Sequence, residues 1–226
     1  MCNEFARRIS LDQLRSGWGA ADMTLLFPEG MSNMPALDSI RITDPAVIIR
    51  AAPSGTGGAE VVTRRWSWRG PNGKPVYNFR SDGREFTNGV TSGRCLIPAD
   101  GFYEFTDGTA EGDDAPAPFA LEIQDNAAAA SVKRAGGKKP PKLKWEFRVR
   151  GLDWFCVAGL WRTDAEGAEA WTMFTTAPGP DIEPYHDRQI VILTPPDYAR
   201  WLDGSAPAAQ LCRPLPAGTL EVQRVR

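Results

Sequence analysis

Polar and apolar residues alternate in several short segments of the chain, which is the pattern of β-strands that are buried on one face. The clearest such segment spans residues 143–150, and a second one spans residues 119–123. Continuous apolar runs at residues 155–161 and 171–176 predict interior strands that are buried on both faces. We therefore expect β-structure to dominate the middle and the end of the chain.

Two short helices are indicated by the residues at their ends. Ser10, with Gln13 three residues later, forms a capping box, and Gly19 is suited to end the helix that follows. Thr194 is placed to cap a second helix, which begins with a proline and ends near Gly204. We predict a mixed α+β fold, with one strongly curved, barrel-like, mainly antiparallel β-sheet and short helices at its periphery.

The chain shows no internal repeat and no linker, so we expect a single domain that spans residues 1–226. Residues 107–117 and 125–142 are rich in Gly, Pro and Ala, and we interpret both as inserted loops. The second loop ends in a run that contains no acidic residue and five cations: Lys133, Arg134, Lys138, Lys139 and Lys142. These cations could contact phosphates, and a solvated hairpin tip is the alternative.

The amino-acid composition limits the classes of protein to which this chain can belong. A hydrophobic fraction of 42% is sufficient for a substantial core, and a net charge of −2 means that any nucleic-acid contact must come from a local basic surface. The four cysteines form no CxxC pair and the chain has one histidine, so we expect no metal site and no cofactor. With no apolar segment of about 20 residues, we expect a cytoplasmic protein without a membrane partner.

Cys2 is the first candidate for chemistry because it follows the initiator methionine directly. If Met1 is removed, Cys2 carries an α-amine and a thiol on adjacent carbons. Such a 1,2-aminothiol condenses with an aldehyde through nitrogen and then closes through sulfur to a thiazolidine. The terminal amine titrates near neutral pH, at roughly 7.7 to 8.0. The alternative is a buried cysteine without chemistry.

Glu104 and His186 are candidates for proton transfer. Aromatic residues surround Glu104 in sequence, so we expect it to be half-buried, and desolvation then raises its pKa towards that of a general acid/base. Pairing with an arginine at a sheet edge is the alternative. His186, the only histidine, precedes an apolar strand at a position where site residues often lie, although it could also be a spectator.

Asn78 and Arg80 lie two residues apart in a strand-like segment, which places both side chains on one face. The amide could orient a reacting group and the guanidinium could hold a phosphate. Upstream, cations and indoles alternate at Arg64, Arg65, Trp66, Trp68 and Arg69. This composition is suited to a groove that follows a nucleic-acid backbone, with packing in the core as the alternative.

Six motifs occur in a defined order along the chain: Met-Cys at 1–2, Asn-x-Arg at 78–80, Arg-Cys-x-x-Pro-Ala-x-Gly-Phe-Tyr-Glu at 94–104, Ala-Gly-Leu-Trp at 158–161, Phe-Thr-Thr-Ala at 174–177 and His-Asp-Arg at 186–188. In this set the chain resembles the SOS response-associated peptidase (SRAP) family, also known as abasic-site processing proteins. The resemblance covers nearly the whole chain.

The resemblance implies that Cys2, after removal of Met1, reacts with the aldehyde of an abasic site in single-stranded DNA and forms a thiazolidine crosslink. It implies that Asn78 orients the terminal amine and that Glu104 transfers protons during Schiff-base formation and ring closure. His186 would promote opening of the sugar ring or reversal of the crosslink. Self-processing peptidase activity that exposes Cys2 is a further implication.

The resemblance also implies contacts with DNA and a cellular setting. Phosphate contacts are implied for Arg80 and Arg188, and walls of the cleft for Trp68, Pro35 and Thr176. The expected partner is single-stranded DNA that contains abasic sites, bound by a monomer that is nucleoid-associated when the DNA is damaged.

Three positions depart from the family pattern. Family members commonly begin Met-Cys-Gly-Arg-Phe, whereas this chain has Asn3 and Glu4, and a carboxylate beside a phosphate is repulsive. Asp82 stands where the family commonly has a glutamate. Two other function classes remain open at this point: an N-terminal-nucleophile amidase or peptidase, which would cleave a model amide, and a non-covalent single-strand binding module, which would not need Cys2.

Overall fold

The computed structural model describes residues 2–21, 23–30, 33–53, 58–107 and 142–226. The strands of these residues are β1 (Glu4–Arg7), β2 (Leu25–Leu26), β3 (Leu37–Arg41), β4 (Pro45–Ala51), β5 (Ala59–Trp66), β6 (Trp68–Arg69), β7 (Pro75–Val76), β8 (Asn78–Arg80), β9 (Ser92–Ala99), β10 (Gly101–Asp107), β11 (Lys142–Val149), β12 (Phe155–Thr163), β13 (Glu169–Thr176), β14 (Gln189–Ile190), β15 (Ile192–Leu193) and β16 (Leu220–Arg224). The helices are α1 (Leu11–Trp18), a 3-10 turn (Gly19–Ala21), α2 (Pro195–Leu202) and α3 (Ala208–Leu211).

The described strands form three sheets. A five-stranded sheet has the order β16-β11-β10-β1-β3, and a nine-stranded sheet follows β14-β13-β12-β9-β4-β5-β2, with β15 beside β12 and β8 beside β13. Strands β6 and β7 pair separately. Most neighbours are antiparallel, and β5 and β8 lie parallel to β13. The predicted α+β class, dominated by sheet with short helices, is confirmed.

The hydrogen bonding is divided among sheets where the sequence predicts one curved sheet. The division occurs at Asp100, because β9 ends at residue 99 in the large sheet and β10 begins at residue 101 in the five-stranded one. The Asp100 N–H donates to the Ala6 carbonyl at 3.0 Å, and its carboxylate accepts from Arg8 Nε at 2.9 Å. These bonds hold the chain where it passes from one sheet to the other.

A hydrophobic cluster packs on each side of the nine-stranded sheet, and this explains the continuous apolar runs. In β12, Val157 belongs to the cluster that contains Cys2 and Phe5, whereas its neighbours Cys156 and Ala158 belong to the other cluster. A strand between two cores buries successive side chains on opposite faces, so every position is apolar. The predictions of interior strands at residues 155–161 and 171–176 are confirmed.

Both predicted helices are present. In α1, Ser10 Oγ accepts from the Gln13 N–H at 3.2 Å and Gln13 Oε1 accepts from the Ser10 N–H at 2.9 Å, so the capping box forms as expected. Helix α2 begins at Pro195 after Thr194, whose side chain makes no capping bond. Gly204 follows the end of α2 with φ of +75°, a conformation that favours glycine.

The alternating segment at 143–150 forms β11, with one exception to the pattern. Glu146 is buried because its carboxylate is paired with Arg8. The two predicted loops connect β10 and β11, whose ends Asp107 and Lys142 are cross-strand partners. The rest of both loops, including the predicted strand at 119–123 and the cations at 133–139, lies outside the described residues. No helix in the described ranges has the length and apolarity needed to cross a bilayer.

Gly159 lies at a point of close approach in the middle of β12. A Cβ atom at this position would lie 2.5 Å from Ile97 Cδ1 and 2.6 Å from the Thr172 carbonyl oxygen. Because that carbonyl belongs to the neighbouring strand, the substitution Gly159→Ala must separate β12 from β13. We expect it to lower the free energy of unfolding by about 1–3 kcal/mol in urea titrations.

Gly19→Ala is the matched control for this prediction, because nothing lies within 4 Å of a Cβ atom built there. It should leave the urea midpoint nearly unchanged. Equal midpoints for the two variants would show that Gly159 is not constrained by β13.

Candidate active site

Cys2 lies just before β1 and is 1% exposed, packed in the same cluster as Phe5. Its thiol donates to the Glu4 carbonyl at 3.3 Å. Its own carbonyl accepts a hydrogen bond from Asn78 Nδ2 at 2.8 Å. The backbone and the side chain of Cys2 are therefore both held in place.

Asn78 reaches Cys2 from β8, which lies parallel beside β13 with Asn78 opposite Met173. Phe79 points to the opposite face and contacts Phe86 and Phe174, so Asn78 and Arg80 share a face as the sequence predicts. Asn78 Oδ1 is buried and has no hydrogen-bond partner among the described residues. An unpaired buried acceptor costs about 1–3 kcal/mol, so this oxygen is available to accept from an N–H donor.

Glu104 lies in β10 opposite Trp145 and is 3% exposed, which is deeper than the half-buried position expected from sequence. Burial raises the pKa of Glu104 to about 7, a nearby Asp187 carboxylate adds to the rise, and the positive amino terminus opposes it. The carboxyl group can therefore both give and take a proton near neutral pH.

Cys2 and Glu104 interact electrostatically. Burial raises the pKa of the Cys2 thiol well above its usual value, and the Glu104 carboxylate raises it further. The thiol is therefore protonated at neutral pH, with a buried proton acceptor as its neighbour. In this state a thiolate is not pre-formed, and sulfur attack requires removal of a proton.

His186 lies in the turn before β14, where its backbone N–H donates to the Ile182 carbonyl at 2.9 Å. Its Nδ1 accepts the Arg188 N–H at 3.0 Å and also lies 2.7 Å from an Asp187 carboxylate oxygen. The two contacts require different protonation states, because Nδ1 cannot accept and donate at once. Burial lowers the pKa of His186, and Asp187 is 84% exposed, so the neutral ring with its proton on Nε2 is favoured.

Arg188 and Arg80 flank Asp82. Arg188 donates from Nη2 to the Asp82 carboxylate at 2.7 Å and to the Thr175 carbonyl at 2.9 Å. Its hydrogen bond lowers the pKa of Asp82, and the charge of exposed Arg80 adds a smaller effect. Asp82, the residue that departs from the family pattern, is therefore the ion-pair partner of Arg188, and the group keeps one net positive charge.

The three predicted wall residues each have their own contacts. The Pro35 carbonyl accepts from Arg7 at 2.8 Å, and the buried Thr176 hydroxyl donates to the Cys212 carbonyl at 3.2 Å. Trp68 lines a cavity of about 570 Å³ together with Arg65, Arg69 and Arg162. None of Cys2, Asn78 or Glu104 lines that cavity.

Trp66, in contrast to Trp68, is a core residue. It is fully buried and stacks on Trp171 with ring centroids 5.4 Å apart. Arg64 forms ion pairs with Glu29 and Glu169. The alternating cations and indoles of this segment thus have different locations: Trp66 lies in the core, Arg64 lies in an ion-pair network, and Trp68 lines the cavity.

The sequence did not point to the charged residues that surround Glu4. The Glu4 carboxylate accepts from Lys144 Nζ at 2.8 Å and from the Ser39 hydroxyl, and Arg41 lies 3.8 Å away. Burial alone would raise the pKa of Glu4, but these partners outweigh it and hold the pKa below its usual value. The partners come from strands β3 and β11, which are distant in sequence.

Metal ligands are not grouped in this region. Among residues in the described ranges, no cluster of three or more His, Cys, Asp or Glu side chains is placed to hold a metal ion. All four cysteines are buried free thiols.

Comparison with known proteins identifies relatives over the full chain. The family model described as SOS response associated peptidase (SRAP) matches residues 1–226. The abasic site processing protein YoqW of Bacillus subtilis is 30% identical over 128 residues, which are 54% of this chain and 44% of that protein, and the protein of the same name from Bacillus phage SPbeta matches equally. The alignment thus spans less than half the length of these curated relatives.

Solved structures share the fold at low sequence identity. A protein from Bacteroides thetaiotaomicron has a TM-score of 0.64 at 15% identity, covering 100% of this chain and 92% of that one. A protein from Bordetella bronchiseptica has a TM-score of 0.63 at 20% identity and full coverage of both chains. These matches establish the similarity of fold.

The raised pKa of Glu104 predicts a specific dependence of stability on pH. Between the usual value of 4.5 and about 7, the folded protein keeps a proton that the unfolded chain has lost. The free energy of unfolding should therefore fall as pH rises through this window, by up to about 3 kcal/mol from this group. Glu104→Gln cannot titrate and should lack this component.

The measurement is urea unfolding of the wild type and Glu104→Gln at about pH 4.5 and about pH 8. The stability of the variant relative to the wild type should be greater at the higher pH, and titrating groups that do not interact with Glu104 cancel in the difference. A difference that does not change between the two pH values would mean that the carboxyl titrates normally.

Proposed function

The chain belongs to the SOS response associated peptidase (SRAP) family, and from this premise we propose that it is an abasic-site sensor that crosslinks to single-stranded DNA through Cys2. The names of the YoqW relatives support an abasic-site substrate. The observation that carries the proposal is the group of Cys2, Asn78 and Glu104: Asn78 binds the Cys2 carbonyl, and the buried Glu104 carboxyl, whose pKa is about 7, interacts electrostatically with the Cys2 thiol.

The first step uses the backbone nitrogen of Cys2. Hydrolysis of the Met1–Cys2 peptide bond converts this nitrogen from an amide to an amine, which attacks the aldehyde carbon of the open abasic sugar. The resulting carbinolamine loses water when the protonated Glu104 carboxyl donates to the leaving oxygen. Asn78 holds the Cys2 carbonyl with Nδ2 and has Oδ1 free to accept from the amine, which orients the nitrogen lone pair.

The second step uses the thiol of Cys2. The Glu104 carboxylate left by the first step accepts the thiol proton while sulfur attacks the imine carbon, which closes the five-membered thiazolidine ring. One C–N bond and one C–S bond form, and one water is released. A protonated thiol next to a carboxyl that changes state near pH 7 is suited to this order of events.

His186 and the arginines act on the sugar and its neighbours in this proposal. The neutral His186 ring, with its proton on Nε2, would assist opening of the sugar ring or reversal of the crosslink. Arg80 and Arg188 would bind phosphates, and Trp68, Pro35 and Thr176 would form walls of the cleft. Single strands are favoured because an unpaired abasic nucleotide enters a narrow site without the cost of unstacking a duplex.

A peptidase that acts on other peptides is the second candidate. The family description is that of a peptidase, and Cys2 would be the nucleophile. Its raised thiol pKa favours the aminothiol reaction, because amide cleavage by cysteine normally relies on a pre-formed thiolate. The site therefore fits the reaction with an aldehyde better than turnover of external peptides.

The covalent reaction predicts an adduct that resists denaturation. Met1-trimmed wild-type protein mixed with abasic single-stranded DNA should give a slower band on a denaturing gel, and Cys2→Ala should give none. Cys2→Ser keeps the amine but lacks sulfur, so it should form only an imine that reduction with borohydride can trap. Mass spectrometry of the amino terminus verifies that Met1 has been removed.

Three results bear on the alternatives. Folded, trimmed wild-type protein that gives no band would refute the covalent proposal. Cleavage of a model amide without any DNA adduct would establish the peptidase. Full DNA association by Cys2→Ala, without an adduct in the wild type, would establish a non-covalent binding module.

Asn78 should affect the rate of crosslinking and leave DNA affinity nearly unchanged. Asn78→Ala removes both the bond to the Cys2 carbonyl and the acceptor for the amine, so we expect single-turnover crosslinking to slow by about 100-fold. Affinity is measured separately with DNA that contains a tetrahydrofuran analogue of the abasic site, which has no aldehyde. Loss of affinity in parallel with rate would assign Asn78 a general role in binding.

A further inference from the structure

A cavity of about 750 Å³ opens beside Asn3, the residue that follows the nucleophile. The charged side chains that line it are Glu4, Arg41, Lys142, Lys144 and Arg226. Arg41 is the cross-strand partner of Glu4, and Lys142 begins β11. Strands distant in sequence thus bring four cations to one cavity next to Cys2.

Glu4 does not cancel this charge. Its carboxylate is 5% exposed and is already bound by Lys144 and by the Ser39 hydroxyl. The described lining includes no other acidic side chain, and the main-chain oxygen of Arg226, the last residue, accepts from the Lys144 backbone N–H at 2.9 Å. Asp107 is the cross-strand partner of Lys142 but is not part of the lining. The cavity therefore keeps a surplus of positive charge at Arg41 and Lys142.

The cations that remain are exposed to a ligand. The Arg41 side chain is 70% exposed, and its Nε donates to the Ser39 hydroxyl at 3.2 Å. Lys142 is also exposed. Phe105 supplies an aromatic wall, and cations beside an aromatic ring are the combination that binds a phosphate with an adjoining base.

We propose that this cavity binds a backbone phosphate of the DNA strand, belonging to a nucleotide that flanks the abasic one, through Arg41 and Lys142. The proposal rests on the proposed function, because the strand must pass Cys2 to reach the cavity. Glu4 with Lys144 forms its floor as a neutral pair, so the carboxylate at position 4 is compatible with a phosphate nearby. Asn3, between Cys2 and Glu4, joins the cavity to the reaction site.

The test measures non-covalent affinity at several salt concentrations, using single-stranded DNA with the tetrahydrofuran analogue. Loss of each phosphate contact reduces the slope of log affinity against log salt by about 0.7 for a single strand. Arg41→Ala/Lys142→Ala should therefore lower the slope by about 0.7 to 1.4 and weaken binding by about tenfold near 0.1 M salt. The charge-preserving pair Arg41→Lys/Lys142→Arg should bind as the wild type does.

Arg15→Ala is the matched control, because Arg15 lies in the last turn of α1, which packs on the other hydrophobic cluster. An unchanged slope in the double variant overturns the proposal, and so does an equal loss in Arg15→Ala. Thermal unfolding verifies that each variant is folded. Replacing chloride with phosphate at equal ionic strength should weaken DNA binding by the wild type, because the ion competes for the same contacts, and should have little effect on the double variant.

The two proposals fail separately. The analogue has no aldehyde, so the salt slopes do not depend on the crosslinking chemistry. If the wild type forms no crosslink but the double variant has a smaller slope than the wild type, the phosphate site stands and the covalent mechanism is wrong. The converse result would retain the covalent mechanism and remove the phosphate site.

Discussion

A carboxyl group that is removed from water holds its proton more tightly, and the chemistry that we propose for this site depends on that effect at Glu104. The group is 3% exposed, and its pKa of about 7 allows it to act first as an acid and then as a base without a change of position. The same burial keeps the Cys2 thiol protonated. The amine, which titrates near neutral pH when free, is then the group able to attack first.

The fold excludes water from these groups by burying them among packed strands. Strand β10 places Glu104 opposite Trp145, which belongs to the cluster that contains Cys2, and β8 brings Asn78 alongside β13. The chain passes between the two larger sheets at Asp100, where Arg8 binds Asp100 and Glu146 together. Two hydrophobic clusters, one on each side of the large sheet, offset the cost of burying polar groups at Cys2, Asn78 and Glu104.

Glu4 and Asp82, two of the positions that depart from the family pattern, are both held in ion pairs. Glu4 and Asp82 each place a negative charge near the region that we assign to DNA, and each is bound by a cation from another strand or loop, Lys144 and Arg188 respectively. Additional cations remain beside each pair, Arg41 near Glu4 and Arg80 near Asp82. The surface around Glu4 therefore stays positive although the whole chain carries a net charge of −2.

The sequence by itself determined the local features: the capping box at Ser10, the strand at 143–150, the doubly buried runs of β12 and β13, and the shared face of Asn78 and Arg80. These follow from periodicity and capping, which depend on residues close together in the chain. Only the tertiary structure decided how deeply Glu104 is buried, that Asn78 contacts the Cys2 carbonyl 76 residues away, and that Trp66 is a core residue while Trp68 lines a cavity. It also decided the partners of Glu4 and Asp82. Burial and ion pairing are set by which strands become neighbours, and that pairing joins residues whose separation in sequence carries no periodic signal.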